Sequence, residues 1–149
     1  MIAILQRTTQ ASVRIHENIK GQISKGLVVL LGIAHEDTLQ DVEWLTTKIL
    51  NLRIFGDSEG KMNLSLQDIQ GNVLLISQFT LYANTKKGNR PSFTEAAKPI
   101  IAIPLYEKFI ETMSQKLGKP IETGEFGADM QVNLINDGPV TIILNSKEK

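Results

Sequence analysis

The sequence predicts a single α+β domain: a mainly antiparallel sheet or partial β-barrel covered by two helices. Three observations point there. Strand-like runs follow one another with short turns between them, two segments switch to helical spacing, and neither a GxGxxG nor a P-loop pattern interrupts them. At 149 residues the chain has room for one core and too little length for two ordinary domains.

Ile2 to Gln6 is a short apolar strand, and Ala11 to Ile15 alternates Ala11, Val13 and Ile15 with polar neighbours, the period of a half-buried strand. Gly21 and Gly26 bracket a connecting segment before Leu27 to Ile33, LVVLLGI, an apolar run that predicts a central strand buried on both faces. Val42, Leu45, Ile49 and Leu52 then recur at helical spacing behind Thr38, a capping residue. Arg53 to Leu66 reads as two short extended pieces around the turn Gly56 to Gly60. Its Asp57-Ser58-Glu59-Gly60 stretch lacks the remaining ligand positions of a calcium loop.

Asn72 to Tyr82, NVLLISQFTLY, predicts another strong strand with a polar insertion at Ser77-Gln78. Leu105, Phe109, Met113 and Leu117 follow helical spacing after Pro99 and Pro104, and Gly118 is placed as the C-terminal cap. Two last strands, Met130 to Ile135 and Pro139 to Leu144, are separated by Asn136-Asp137-Gly138, whose composition predicts a tight hairpin. The second of these strands opens on Gly138-Pro139, the two residues a sheet tolerates least.

With 42% hydrophobic and 21% charged residues and no apolar run near membrane-spanning length, a membrane is not an expected partner. MIAILQRTTQ lacks the basic start and cleavage site of a secretory signal, so the expected location is the cytoplasm. Absence of cysteine removes disulfides, thiol nucleophiles and cysteine-ligated metals, and two histidines leave too few ligands for a metal site to be expected. Sixteen basic against 16 acidic residues give no global field for nucleic acid, and DNA is not an expected partner. One local patch remains, Asn84 to Lys98, where Lys86, Lys87, Arg90 and Lys98 face Glu95 alone in a loop marked by Gly88 and Pro91.

His16 sits at a turn and His35 beside Glu36-Asp37, neither in a setting that marks a catalytic base. SQFT, Ser77 to Thr80, is the more unusual feature: polar groups inside an apolar strand either satisfy one another or line a cavity. Thr80 is a candidate nucleophile only if a base lies beside it.

Several blocks together resemble one family. SQFTLY at Ser77 to Tyr82, KKGNRPSF at Lys86 to Phe93, TGEFGADM at Thr123 to Met130 and NDGPVT at Asn136 to Thr141 are similar, in order, to the D-aminoacyl-tRNA deacylases. ASV at Ala11 to Val13 and LRIFGDSEGKMNLSL at Leu52 to Leu66 fit the same family. The resemblance implies a cytosolic homodimer without cofactor or metal that hydrolyses the ester joining a D-amino acid, or mischarged glycine, to the 3′-terminal adenosine of tRNA. Each active site would lie at the subunit interface.

On the same resemblance, Gly138-Pro139 is the Gly-cis-Pro motif, inserted from one subunit into the other's pocket with its main-chain carbonyls excluding an L side chain. Arg7 supports that motif. Ser77, Gln78, Phe79 and Thr80 form the opposite, catalytic wall, whose backbone N–H groups would hold the oxyanion while the ribose 2′-OH assists water. Phe126 and Met130 would hold the terminal adenosine, and Lys86, Lys87 and Arg90 the tRNA backbone. The residues alone also allow a non-catalytic RNA-binding β-barrel module, or a threonine-nucleophile hydrolase of a small ester.

Overall fold

The computed structural model of the chain describes residues 1–148. Its long element is β1 (Ile2–Ile15), which turns through His16 and Glu17, both at positive φ, into β2 (Asn18–Ile23), followed by β3 (Gly26–Gly32). Helix α1 (Leu39–Asn51), the small hairpin β4 (Phe55–Gly56) and β5 (Met62–Leu64), and β6 (Asn72–Ser77) come next. A 3-10 helix (Phe79–Tyr82), α2 (Pro99–Leu117), β7 (Glu122–Thr123) and β8 (Gln131–Asn145) complete the fold.

The sheet runs β2-β1-β3-β6-β7, with β8 along the other side of β1, so a barrel-like sheet is covered by two helices in a single domain. It is mixed where a mainly antiparallel sheet was expected. β1 is antiparallel to β2, β3 and β8, but β6 lies parallel to β3, and β7 parallel to β6. Each of these parallel joins is made by a long crossover, through α1 and then through α2, which returns the chain to the same end of the sheet.

β3 is buried on both faces, as its sequence predicts. Leu27, Val29 and Leu31 meet Leu45, Ile49, Phe109 and Met113 on the helix side, while Val28 joins Ala11, Val13, Ile23, Leu74 and Ile76 on the other. Helix α1 starts at Thr38, whose N–H and hydroxyl both donate to the Asp41 carboxylate at 2.8 and 3.0 Å. Helix α2 begins at Pro99 rather than after Pro104 and ends at Gly118 in the left-handed region. Pro104 lies inside the helix and has no N–H to give the carbonyl of Ile100, a residue that is 83% exposed. Among the described residues no helix is long and apolar enough to cross a membrane.

Three expectations are corrected. The Gly21 to Gly26 connection contains a strand, β2, because Ala11 to Ile15 of β1 offers it an edge. Asn72 to Tyr82 is not one strand: β6 stops at Ser77 and the chain turns into the 3-10 helix. Asn136-Asp137-Gly138 makes no hairpin, since β8 runs on past it and pairs with β1 on both sides of it. The same glycine-rich composition that permits positive φ in a turn permits it in a bulge.

Candidate active site

The bulge is large. Gln6 pairs with Thr141 and Thr8 with Asn136, so Asp137, Gly138, Pro139 and Val140 of β8 stand opposite Arg7 alone. Gly138 has φ +136, and a Cβ there would come 2.8 Å from Val140 Cγ2 and 3.1 Å from Arg7 Nη2, so only glycine fits. The Gly138-Pro139 peptide is cis, and both residues are exposed.

Arg7 fastens the bulge to the body of the fold. Its Nε donates to Asp137 O at 2.9 Å and lies 3.3 Å from the Asp137 carboxylate, and its Nη1 donates to Ile54 O at 2.6 Å. Asn136 closes the neck, accepting from Val140 N–H at 2.8 Å and donating from Nδ2 to Thr141 Oγ1 at 2.9 Å. A cavity of about 470 Å³ lies beside the bulge, lined by Arg7, Phe55, Met62, Gly138 and Pro139 among others.

The SQFT wall forms where β6 ends. Gln78 N–H donates to Leu31 O at 2.7 Å, which extends the β3–β6 ladder one step beyond Ser77 before the chain turns. The first N–H groups of a helix have no partner inside it, so the 3-10 helix leaves those of Phe79 and Thr80 pointing out of an exposed turn. Gly32 lets this turn sit directly on β3: a Cβ there would be 3.1 Å from Leu81 Cβ and 3.2 Å from Gln78 O. Ser77 and Gln78 are half-buried and Phe79 and Thr80 exposed, so the expected cost of polar groups inside a strand does not arise.

The Thr80 hydroxyl accepts from Gln78 Nε2 at 2.5 Å. An amide N–H donor holds the hydroxyl in place and cannot take its proton, so this contact does not make Thr80 a nucleophile. Phe79 meets Phe93 edge-on at 5.1 Å, and Asn84 and Ser92 exchange backbone hydrogen bonds of 2.7 and 3.0 Å. Those contacts tie the loop carrying Lys86, Lys87 and Arg90, all exposed, to the SQFT turn.

FGADM comes to the same end of β6 through β7, which pairs at Leu74↔Glu122 and Leu75↔Thr123. Phe126 is half-buried and edge-on to Tyr106 at 5.7 Å, while Met130 packs against the second cluster beside Ile76. Leu75 O accepts both Gly124 N–H and the Tyr106 hydroxyl, each at 3.2 Å. Burial pushes the Tyr106 hydroxyl well above its ordinary pKa, so it remains a donor.

The structure therefore brings Ser77 to Thr80, Phe126, Met130 and the basic loop to one end of the sheet, and leaves Gly138, Pro139 and Arg7 elsewhere. Arg7 pairs with Leu27 and Leu27 with Val73, so the bulge is level with Val73, four residues before Ser77. That offset is about 13 Å along the strands, and three strand spacings add about 14 Å across them. Within the chain the bulge and the SQFT turn therefore stand apart. Beyond β1, the other edge of β8 pairs with no strand among the described residues, and Ile135 and Ile143 nearby are 51% and 69% exposed.

Asn136 and Tyr106 were not singled out from the sequence. Asn136 reads as a turn residue, and Tyr106 falls between the apolar positions that define its helix. The signal that could have found Tyr106 is a buried aromatic carrying a hydroxyl, which needs a partner. No group of three or more His, Asp or Glu side chains able to hold a metal gathers among the described residues.

Residues 4–145 match the family model described as D-Tyr-tRNA(Tyr) deacylase. A Cytophaga hutchinsonii protein named D-aminoacyl-tRNA deacylase is 60% identical over 149 residues, covering 100% of this chain and 99% of that protein. A solved structure described as c-Myc DNA Unwinding Element Binding Protein is 44% identical, with a TM-score of 0.92, covering 97% of this chain and 98% of the other. Another, described as a probable eukaryotic D-amino acid tRNA deacylase, has the same fold at a TM-score of 0.84 and 16% identity, covering 96% and 97% of the two chains.

Proposed function

The chain belongs to the D-Tyr-tRNA(Tyr) deacylase family, enzymes that cleave D-aminoacyl-tRNA, and we propose that it does so at pockets shared between two copies of itself. The observation that carries the shared pocket is the separation of the bulge, opposite Arg7, from the SQFT wall level with Leu31. A second copy of the chain, joined by two-fold symmetry, can bring its bulge to the first copy's wall and the reverse. The free edge of β8 and its exposed isoleucines support such a homodimer.

In this reading the ester carbonyl lies against the Phe79 and Thr80 N–H groups. Water, assisted by the 2′-OH of the terminal ribose, attacks the carbonyl carbon. The oxyanion that forms is held by those fixed donors, each worth about 3–4 kcal/mol in hydrolases. The bond to the ribose 3′ oxygen breaks, that oxygen takes up a proton, and free tRNA and a D-amino acid leave.

The partner's Gly138-Pro139 carbonyls accept from the substrate α-amino group and occupy the space of an L side chain. Selection is then by exclusion, so D side chains of any size pass, and glycine, which has none, passes too. Phe126 offers a face for the terminal adenosine and Met130 a second contact, while Lys86, Lys87 and Arg90 meet the phosphate backbone. An enzyme acting on aminoacyl-tRNA belongs in the cytoplasm.

The test is release of free tRNA from D-Tyr-tRNA and from L-Tyr-tRNA by the purified protein. Cleavage of the D-ester with the L-ester spared is expected, whereas equal cleavage of both, or of neither, would sink the reading.

A further inference from the structure

Between the pairs Thr8↔Asn136 and Gln6↔Thr141, the β1–β8 ladder skips one residue of β1 and four of β8. Backbone groups cut out of a ladder must find other partners, and Pro139 has no N–H to offer. The first N–H after it, Val140, donates to Asn136 Oδ1 at 2.8 Å, and Asn136 Nδ2 donates to Thr141 Oγ1 at 2.9 Å. One side chain thus joins the last paired residue before the bulge to the two residues that follow Pro139. Arg7 holds the near flank through Asp137 O, and Gly138 and Pro139 between these two clamps are exposed.

From this geometry we infer that Asn136 is a specificity-determining positioning residue, which fixes where the Gly138-Pro139 carbonyls stand without touching the substrate itself. The inference rests on the proposed reading of Gly138-Pro139 as the chiral filter. Rejecting an L side chain needs a wall that does not yield, whereas accepting a D-ester needs only that the wall be near. A loosened neck therefore costs discrimination before it costs turnover. Asparagine suits the place because it offers an acceptor and a donor from one short side chain. Aspartate keeps the acceptor for Val140 N–H and can accept from the Thr141 hydroxyl, while alanine keeps neither.

Rates on D-Tyr-tRNA and L-Tyr-tRNA are to be measured for the wild-type chain, Asn136→Ala, Asn136→Asp and Thr141→Val, with thermal melting as a control for folding. In Asn136→Ala, which loses both bonds, the D-over-L ratio of kcat/KM should fall at least about tenfold, the factor that one such bond represents, mainly through faster L-ester cleavage. Asn136→Asp should keep most of the ratio. Thr141→Val keeps the Asn136 bond to Val140 N–H and removes the outer one, together with the longer 3.4 Å bond from Gln6 Nε2, and should give a smaller fall in the same direction, which decides the matter if the alanine variant does not fold. D and L rates that fall together, leaving the ratio unchanged, would overturn the inference and leave the deacylase reading standing. A wild-type protein that cleaves neither ester, or both alike, would overturn the deacylase reading itself.

Discussion

The Arg7 guanidinium donates to the main-chain oxygen of Asp137 at 2.9 Å, and Arg7 is the only β1 residue that stands opposite the four-residue bulge of β8. Its other arm reaches Ile54 O at 2.6 Å, so one side chain links the bulge to the segment leading into β4. Arg7→Lys cannot span both carbonyls, because an ammonium is a single point of contact. Hydrogen bonds from charged donors are worth about 1.5–3 kcal/mol each, so losing one predicts a kcat/KM on D-Tyr-tRNA about ten- to hundredfold lower. Steady-state rates against melting temperature check this, since a lowered melting temperature with unchanged kcat/KM would make Arg7 purely structural.

Thr80→Ala should retain substantial activity. The hydroxyl accepts from the Gln78 amide and has no base there to activate it, so its removal should cost about tenfold or less, against the 10⁴-fold or greater loss typical of a deleted nucleophile. Single-turnover rates on D-Tyr-tRNA discriminate the two.

Tyr106 separates two effects. Tyr106→Phe removes the bond to Leu75 O, which keeps Gly124 N–H, and retains the edge-on ring beside Phe126, so kcat/KM should fall no more than about fivefold. Tyr106→Leu also removes the ring and should raise KM for D-Tyr-tRNA about tenfold with kcat less affected. A loss confined to kcat in both variants would contradict an adenosine-side role.

Asp41 makes stability depend on acid. Burial pushes its carboxyl up, but hydrogen bonds from Lys147 Nζ at 2.9 Å and from Thr38 more than reverse this and hold it well below the usual carboxylate range. A depressed carboxyl contributes stability above its unfolded pKa of about 4, and that contribution is lost as pH falls toward the folded value. Asp41→Asn should therefore be less stable than the wild type at pH 7, by about 1.5–3 kcal/mol of unfolding free energy, with the gap narrowing below pH ~4. A gap that does not change with pH would contradict the assignment.

The central strand and both helices were legible because LVVLLGI and the helical spacing after Thr38 and around Phe109 state their burial directly. What the bulge is was not legible. Asn-Asp-Gly suits a hairpin and a bulge equally, and the choice is made by β1, a strand more than a hundred residues away that pairs on both sides of it. SQFT stood out through its polarity, yet its meaning changed once β6 ended at Ser77, because polar groups at a strand's end need no buried partner. Asn136 and Tyr106 were hidden for a related reason: composition and periodicity mark where a side chain lies, and their importance comes from which carbonyl or N–H each one meets.

The shared pocket is tested most directly by mixing two inactive variants. Gly138→Trp should block the bulge of every copy that carries it, and Thr80→Pro should remove an oxyanion donor from the wall. Each homodimer should then be inactive on D-Tyr-tRNA. If pockets are built between copies, equal mixing makes half the dimers mixed, each with one whole pocket of two, and restores about a quarter of wild-type activity. Activity that stays at the level of the separate variants, in a mixture shown to contain mixed dimers, would contradict a pocket shared between two copies.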